Sequence, residues 1–83
     1  MRTITIYTTP TCGYCKMTKE FFKQHSIEYT EKDVARDQAA AEEMIEKSGQ
    51  MGVPVTIIAQ DGKEELIVGF DRSRLTSVLG VAA

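Results

Sequence analysis

Arg2-Thr3-Ile4-Thr5-Ile6-Tyr7-Thr8-Thr9-Pro10-Thr11-Cys12-Gly13-Tyr14-Cys15-Lys16 is the stretch on which the fold turns. From Arg2 to Thr8 the residues alternate, with Ile4 and Ile6 on one face and Thr3, Thr5 and Tyr7 on the other. The segment is also rich in β-formers, so a strand is expected. Thr9-Pro10-Thr11 breaks the alternation. Thr11 is read as the N-cap of a helix that starts near Cys12 and runs through Lys16, Lys19, Phe21 and Phe22 to about Gln24. Both cysteines then fall in its first turn.

Outward from this unit, Ile27 to Lys32 alternates and predicts a second, short strand. Asp33 to Ser48 follows as a helix, with Ala39, Ala41, Met44, Ile45 and Ser48 at helical spacing and Gly49 as its stop. After a loop through Gln50-Met51-Gly52, the β-branched run Val53 to Ile58 is expected as a strand. Asp61-Gly62 is a hairpin signal, and Lys63 to Val68 is the returning strand. Gly69-Phe70-Asp71 ends the sheet, and Asp71 is placed to cap a last helix carrying Leu75, Val78 and Leu79. The order β-α-β-α-β-β-α over residues 1–83 predicts one domain: an α/β fold with a four-stranded mixed sheet flanked by three helices.

The chain has 83 residues, 42% hydrophobic and 27% charged, which at this length supports one core. Ten Lys plus Arg against twelve Asp plus Glu give a net charge of −2, with one His and no basic block. That balance argues against nucleic acid as a partner. No apolar stretch approaches a signal h-region or a membrane span, so a cytoplasmic, membrane-free protein is expected. In a reducing compartment a close Cys pair is redox-active or metal-binding rather than a permanent clamp. Two cysteines placed at random would fall three positions apart only about 2% of the time.

A thiol reacts as its thiolate, and a helix N-terminus presents unsatisfied N–H groups. Cys12 is therefore expected as the exposed attacking thiol and Cys15, one turn further in, as the shielded resolving thiol. Spacing of three on a helix puts both sulfurs on one face, within reach of a reversible disulfide. Lys16 adds positive charge beside them. Structural zinc needs four ligands, and the chain offers only His25 besides the cysteines, so no metal site is expected. His25 is read as a helix C-terminal residue. Glu42, Glu43, Glu46 and Lys47 are read as a solvated face with Glu43 and Lys47 paired, and Phe21, Phe22, Met44 and Ile45 as core.

Three segments carry a resemblance: Thr9-Pro10-Thr11-Cys12-Gly13-Tyr14-Cys15-Lys16, Val53-Pro54 opening the third strand, and Gly69-Phe70-Asp71 after the fourth. Together they resemble the glutaredoxin family of the thioredoxin fold, over nearly the whole chain. The resemblance implies a dithiol–disulfide oxidoreductase with no tightly bound cofactor. It implies a cis Pro54 lying against the active-site disulfide, and Val53 and Pro54 lending backbone to a substrate as an added strand. Substrate contacts are implied at Thr11, Tyr14 and Lys16 around the cysteines and at Gly69, Phe70 and Asp71 opposite them.

Two departures bear on the electron donor. Gly52 stands where typical members have Thr, and Phe70 where they have the second Gly of a pair that helps hold glutathione. Both features are shared with glutaredoxin-like redoxins that reduce ribonucleotide reductase and take electrons from thioredoxin reductase. The expected partners are thus a disulfide-containing protein, such as ribonucleotide reductase, and a reductase such as thioredoxin reductase, with glutathione the other candidate donor. A monomer is expected. A third departure, Gly13 in place of the commoner Pro, resembles members that hold an iron–sulfur cluster across a glutathione-containing dimer, which is the alternative reading.

Overall fold

The computed structural model describes residues 2–80. Its elements are β1 (Arg2–Thr8), α1 (Gly13–Gln24), β2 (Thr30–Asp33), α2 (Gln38–Ser48), β3 (Val55–Gln60), β4 (Lys63–Val68) and α3 (Arg72–Leu79). The strands form one sheet in the order β2-β1-β3-β4. β1 runs parallel to β2 and antiparallel to β3, and β3 is antiparallel to β4. This is the expected four-stranded mixed sheet with three helices.

Both faces of the sheet are covered, and the strand alternation sorts side chains between them. On one face Ile4, Ile6, Ile58 and Ile67 pack with Phe21 and Phe22 of α1 and Leu75 and Leu79 of α3. On the other, Tyr7, Val55 and Ile57 pack with Ala40 and Met44 of α2. The Asp61-Gly62 turn joins β3 to β4 with φ of 54° and 77°, the left-handed conformation that a two-residue hairpin of this twist requires. Among the described residues no helix is long and apolar enough to cross a membrane.

Several boundaries differ from the sequence reading, each for a local reason. Cys12, not Thr11, caps α1: its backbone is extended and its side chain accepts the Cys15 N–H. Thr11 sits instead in a turn closed by the Cys12 N–H on the Thr9 carbonyl at 3.3 Å. β2 begins at Thr30 because the Ile27 N–H is spent on the Phe22 carbonyl at 2.8 Å, finishing α1 rather than starting a ladder. α2 begins after Asp37, which accepts the Ala40 N–H at 3.1 Å, while Asp33 ends β2 and holds a tight turn through the Ala35 N–H at 2.9 Å. β3 starts two residues late because Val53 and Pro54 precede the ladder, where a residue without an N–H is tolerated. Ile45 is 41% exposed rather than core, since the buried line of α2 runs through Ala40 and Met44. Glu43 and Lys47 do not pair: Glu43 takes Lys32 at 2.9 Å and Lys47 takes Glu64 at 3.2 Å.

Thr56, on β3 between Ile6 and Ile67, is fully buried and its hydroxyl has no hydrogen-bond partner among the described residues. A buried orphan hydroxyl costs about 1–3 kcal/mol. Thr56→Val keeps the shape and removes that cost, so it should raise the urea midpoint by an amount equivalent to about 1 kcal/mol without changing the slope. A lower midpoint would show that the hydroxyl is satisfied.

Candidate active site

Strand register brings the chemistry-bearing residues to one end of the sheet. Tyr7 of β1 lies opposite Val55 of β3, and Val55 opposite Val68 of β4. The loop leaving β1 toward Cys12, the segment entering β3 through Val53 and Pro54, and the segment leaving β4 through Gly69 to Asp71 therefore share that end. Gly69 fastens two of them: its N–H donates to the Pro54 carbonyl at 2.8 Å while its φ is 77°. A side chain at that φ would be strained. The Val53-Pro54 peptide is cis.

The two thiols are unequal. Cys12 is partly exposed, and its Sγ accepts the Cys15 backbone N–H at 3.0 Å, taking the place of the usual cap oxygen. Cys15 is 1% exposed. Burial first, and then its hydrogen bond with Cys12, push the Cys15 thiol up to about 12, while the Thr9 backbone N–H and the charge of Lys19 oppose that rise. Cys15 thus stays protonated at neutral pH, and Cys12 is the sulfur that meets solvent.

Tyr14, between the two cysteines in the chain, is 63% exposed, and Met51, in the loop ahead of Val53, is 82% exposed. Thr11 and Lys16 are also on the surface. Val53 is half-buried and Pro54 buried. Phe70 is half-buried, with its ring edge-on to Phe21 at 6.4 Å, so one side belongs to the core beside α1. Its other side borders an open groove with Lys16, Met17 and Arg72. Asp71 caps α3, accepting the Arg74 N–H at 3.0 Å. His25 ends α1 with its ring 4.5 Å from that of Phe21, away from the cysteines. Among the described residues no group of three His, Cys, Asp or Glu side chains is gathered as a metal site.

Sequence reading missed two polar networks that abut this end of the sheet. Glu31 accepts the Thr8 hydroxyl at 2.7 Å and Lys19 Nζ at 2.9 Å on one oxygen. These bonds, Thr8 first, hold the Glu31 carboxyl below its ordinary range, and Glu31 raises Lys19. On the opposite face Tyr7 donates its hydroxyl to Glu43, which also binds Lys32. Burial and then Glu43 raise the Tyr7 phenol well above its ordinary value, and Tyr7 followed by Lys32 lowers Glu43. The only sequence signal for either was the helical spacing of Cys15 and Lys19; the cross-strand partners depend on register.

A first strand followed by a CxxC pair at a helix start, with a cis-proline segment beside it, defines a thioredoxin-fold dithiol site. Residues 4–63 match the family described as Glutaredoxin. The chain is 43% identical over 76 residues to the glutaredoxin-like 8.6 kDa protein of the rubredoxin operon of Clostridium pasteurianum, covering 92% of this chain and 96% of that one. It is 34% identical over 58 residues to glutaredoxin 3 of Escherichia coli, covering 70% of each. Among solved structures, a T8A mutant of the thioredoxin-like protein BC3987 superposes with a TM-score of 0.83 at 30% identity, over 99% of this chain and 100% of that one. The protein belongs to the glutaredoxin family, whose fold supports redox chemistry at thiols.

The titration pattern fixes a pH window for stability. Glu31 and Glu43 are depressed when folded, so their contribution is present above about 4.5 and lost as pH falls through their folded values. Cys15 and Tyr7 are raised, so the stability tied to their neutral forms is intact below their ordinary values of 9.0 and 10.0 and lost as pH rises beyond them. The urea midpoint should be flat between about pH 5 and pH 9 and fall on both sides. Cys15→Ser should flatten the fall that begins near pH 9; an unchanged alkaline limb would place its origin elsewhere.

Proposed function

We propose that this protein is a dithiol–disulfide oxidoreductase that reduces protein disulfides, with Cys12 attacking and Cys15 resolving. The observation that carries the reading is the inequality of the thiols: a partly exposed sulfur on the helix cap and a sealed one a turn behind it. In the first step the Cys12 thiolate attacks one sulfur of the substrate disulfide. A Cys12–substrate bond forms, the substrate S–S bond breaks, and the first substrate sulfur leaves as thiolate. In the second, Cys15 loses its proton and attacks Cys12 Sγ. The Cys12–Cys15 disulfide forms, and the second substrate sulfur leaves and takes up a proton. Two electrons pass from the protein to the substrate.

The substrate is a protein segment docked in extended form. Val53 and Pro54, positioned by Gly69, offer the backbone alongside which it lies, and the exposed Tyr14, beside the cysteines in the chain, and Met51, just ahead of Val53, supply apolar contacts. Tyr is favoured in such anchors, and Met adapts to varied partners. Thr11 and Lys16 complete the rim. Nothing in the chain is required as a bound cofactor.

A reductase protein, such as thioredoxin reductase, is the donor that supports turnover best. Glutathione is small and polar, so its binding depends on a few backbone and charge contacts. Here Phe70 stands beside the groove, and the Asp71 carboxylate is committed to the α3 cap. Each missing charge-assisted contact costs about 1.5–3 kcal/mol, roughly 10- to 150-fold in binding.

Cys12→Ser should abolish reduction of an insulin-type protein disulfide, while Cys15→Ser should accumulate a mixed disulfide on Cys12 detectable by mass spectrometry. Faster alkylation of Cys15 than of Cys12 in the reduced protein would reverse the roles. In paired assays, turnover with thioredoxin reductase should exceed that with glutathione and its reductase at least 10-fold. Phe70→Ala should narrow the gap; equal turnover with both donors in the parent protein would refute the donor assignment.

A further inference from the structure

The resolving step poses an electrostatic problem that the cysteines alone do not solve. Cys15 becomes an anion in a place where it is 1% exposed, and an uncompensated charge at such a depth is costly. The cation near it is Lys19, four residues later on α1 and hence on the same side of the helix. Lys19 is held back from solvent, since its Nζ donates to Glu31 at 2.9 Å with only 26% of its side chain exposed. Glu31 is held in turn by the Thr8 hydroxyl at 2.7 Å, and Thr8, at the end of β1, is 1% exposed. The register Ile6 opposite Glu31 puts Thr8 and Glu31 on the α1 face of the sheet. The backbone of the next residue, Thr9, acts with Lys19 against the rise of the Cys15 thiol. The end of β1 therefore fixes the acceptor that anchors the cation.

We propose that Lys19, anchored by Glu31 and Thr8, is the positioning residue of the resolving step, supplying the positive charge that makes the Cys15 thiolate attainable inside the fold. The inference deepens the dithiol reading above and rests on it. Lys19 keeps its own proton throughout: Glu31 raises it, and the lysine counters the burial that holds Cys15 neutral. The proton leaving Cys15 passes through water to the departing substrate thiolate, so protons balance over the step. The other groups bearing on these charges are Cys12 from the loop, Lys23 on α1, and Tyr29 ahead of β2.

The test separates this role from fold and from overall activity. In a Cys12→Ser background, which leaves a single thiol and an oxygen at the cap, ionisation of Cys15 is followed by alkylation rate and thiolate absorbance against pH. Lys19→Met should move the ionisation curve to higher pH, lowering the alkylation rate at fixed pH about 10-fold, and Lys19→Arg should restore it. Glu31→Gln, which loosens the anchor, should produce a smaller shift in the same direction. In the dithiol protein, one equivalent of a chromophoric aromatic disulfide releases a first aromatic thiolate on Cys12 attack and a second on Cys15 resolution. Lys19→Met should slow the second release about 10-fold and leave the first unchanged. An ionisation curve identical in Lys19→Met and its parent would overturn the proposal, as would equal slowing of both releases. Failure of Lys19→Arg to rescue, in a variant with unchanged melting, would also overturn it. If the parent released only one thiolate, the dithiol reading would fall, while the single-thiol titration would still judge Lys19.

Discussion

The bond from the Cys15 backbone N–H to Cys12 Sγ at 3.0 Å is the contact on which the site is organised. It uses a sulfur where a helix ordinarily uses an oxygen, so the residue that starts α1 is also the residue that meets solvent. Because the donor is Cys15's own backbone, the two cysteines cannot drift apart without fraying the first turn. The depth of Cys15 follows from the same geometry. With the cap fixed at Cys12, the helical stripe of Cys15, Thr18, Phe21 and Phe22 turns onto the sheet, and all four are buried.

The sheet does for the second half of the site what the helix does for the first. β1, β3 and β4 all reach the same edge of the core, and the turns there are tied to one another by the Gly69 N–H on the Pro54 carbonyl. Packing on both faces makes the placement rigid: α1 and α3 cover one face and α2 the other. The polar pairs at that end add little by area, yet they connect strand ends to helices. Glu31 joins β2 to α1 through Lys19, and Glu43 joins α2 to β1 and β2 through Tyr7 and Lys32.

Legibility in the sequence followed the range of each interaction. β1, the Asp61-Gly62 hairpin, the Asp71 cap and the two cysteines rest on contacts within a few residues, and all were readable. Thr11 was chosen as cap by residue type, although a cysteine sulfur can also accept an N–H. Ile27 and Asp33 were misassigned because each spends its polar groups finishing one element rather than beginning another. Ile45 looked like core by spacing alone, whereas the strip of sheet available to α2 has room for the Ala40–Met44 line. Glu43 read as a surface charge and Lys19 only as a residue of the first helix, because their partners, Tyr7 and Glu31, are brought near only by strand register. Phe70, read from sequence as a contact opposite the cysteines, also has one side in the core, which only the packing of its ring edge-on to Phe21 reveals.

The strand order leaves β2 and β4 as the two free borders of the ladder, and they are guarded unequally. β2 is four residues long and reads Thr-Glu-Lys-Asp, a strand too short and too charged to recruit another chain. β4 begins with Lys63, Glu64 and Glu65, which protect the half nearest the hairpin, but ends at Leu66, Ile67 and Val68, of which Val68 is 49% exposed. Its unguarded half is the one that runs toward the cysteines. Along β4, resistance to aggregation is therefore concentrated at the hairpin end, and the less guarded remainder of that border lies where a partner must come in any case.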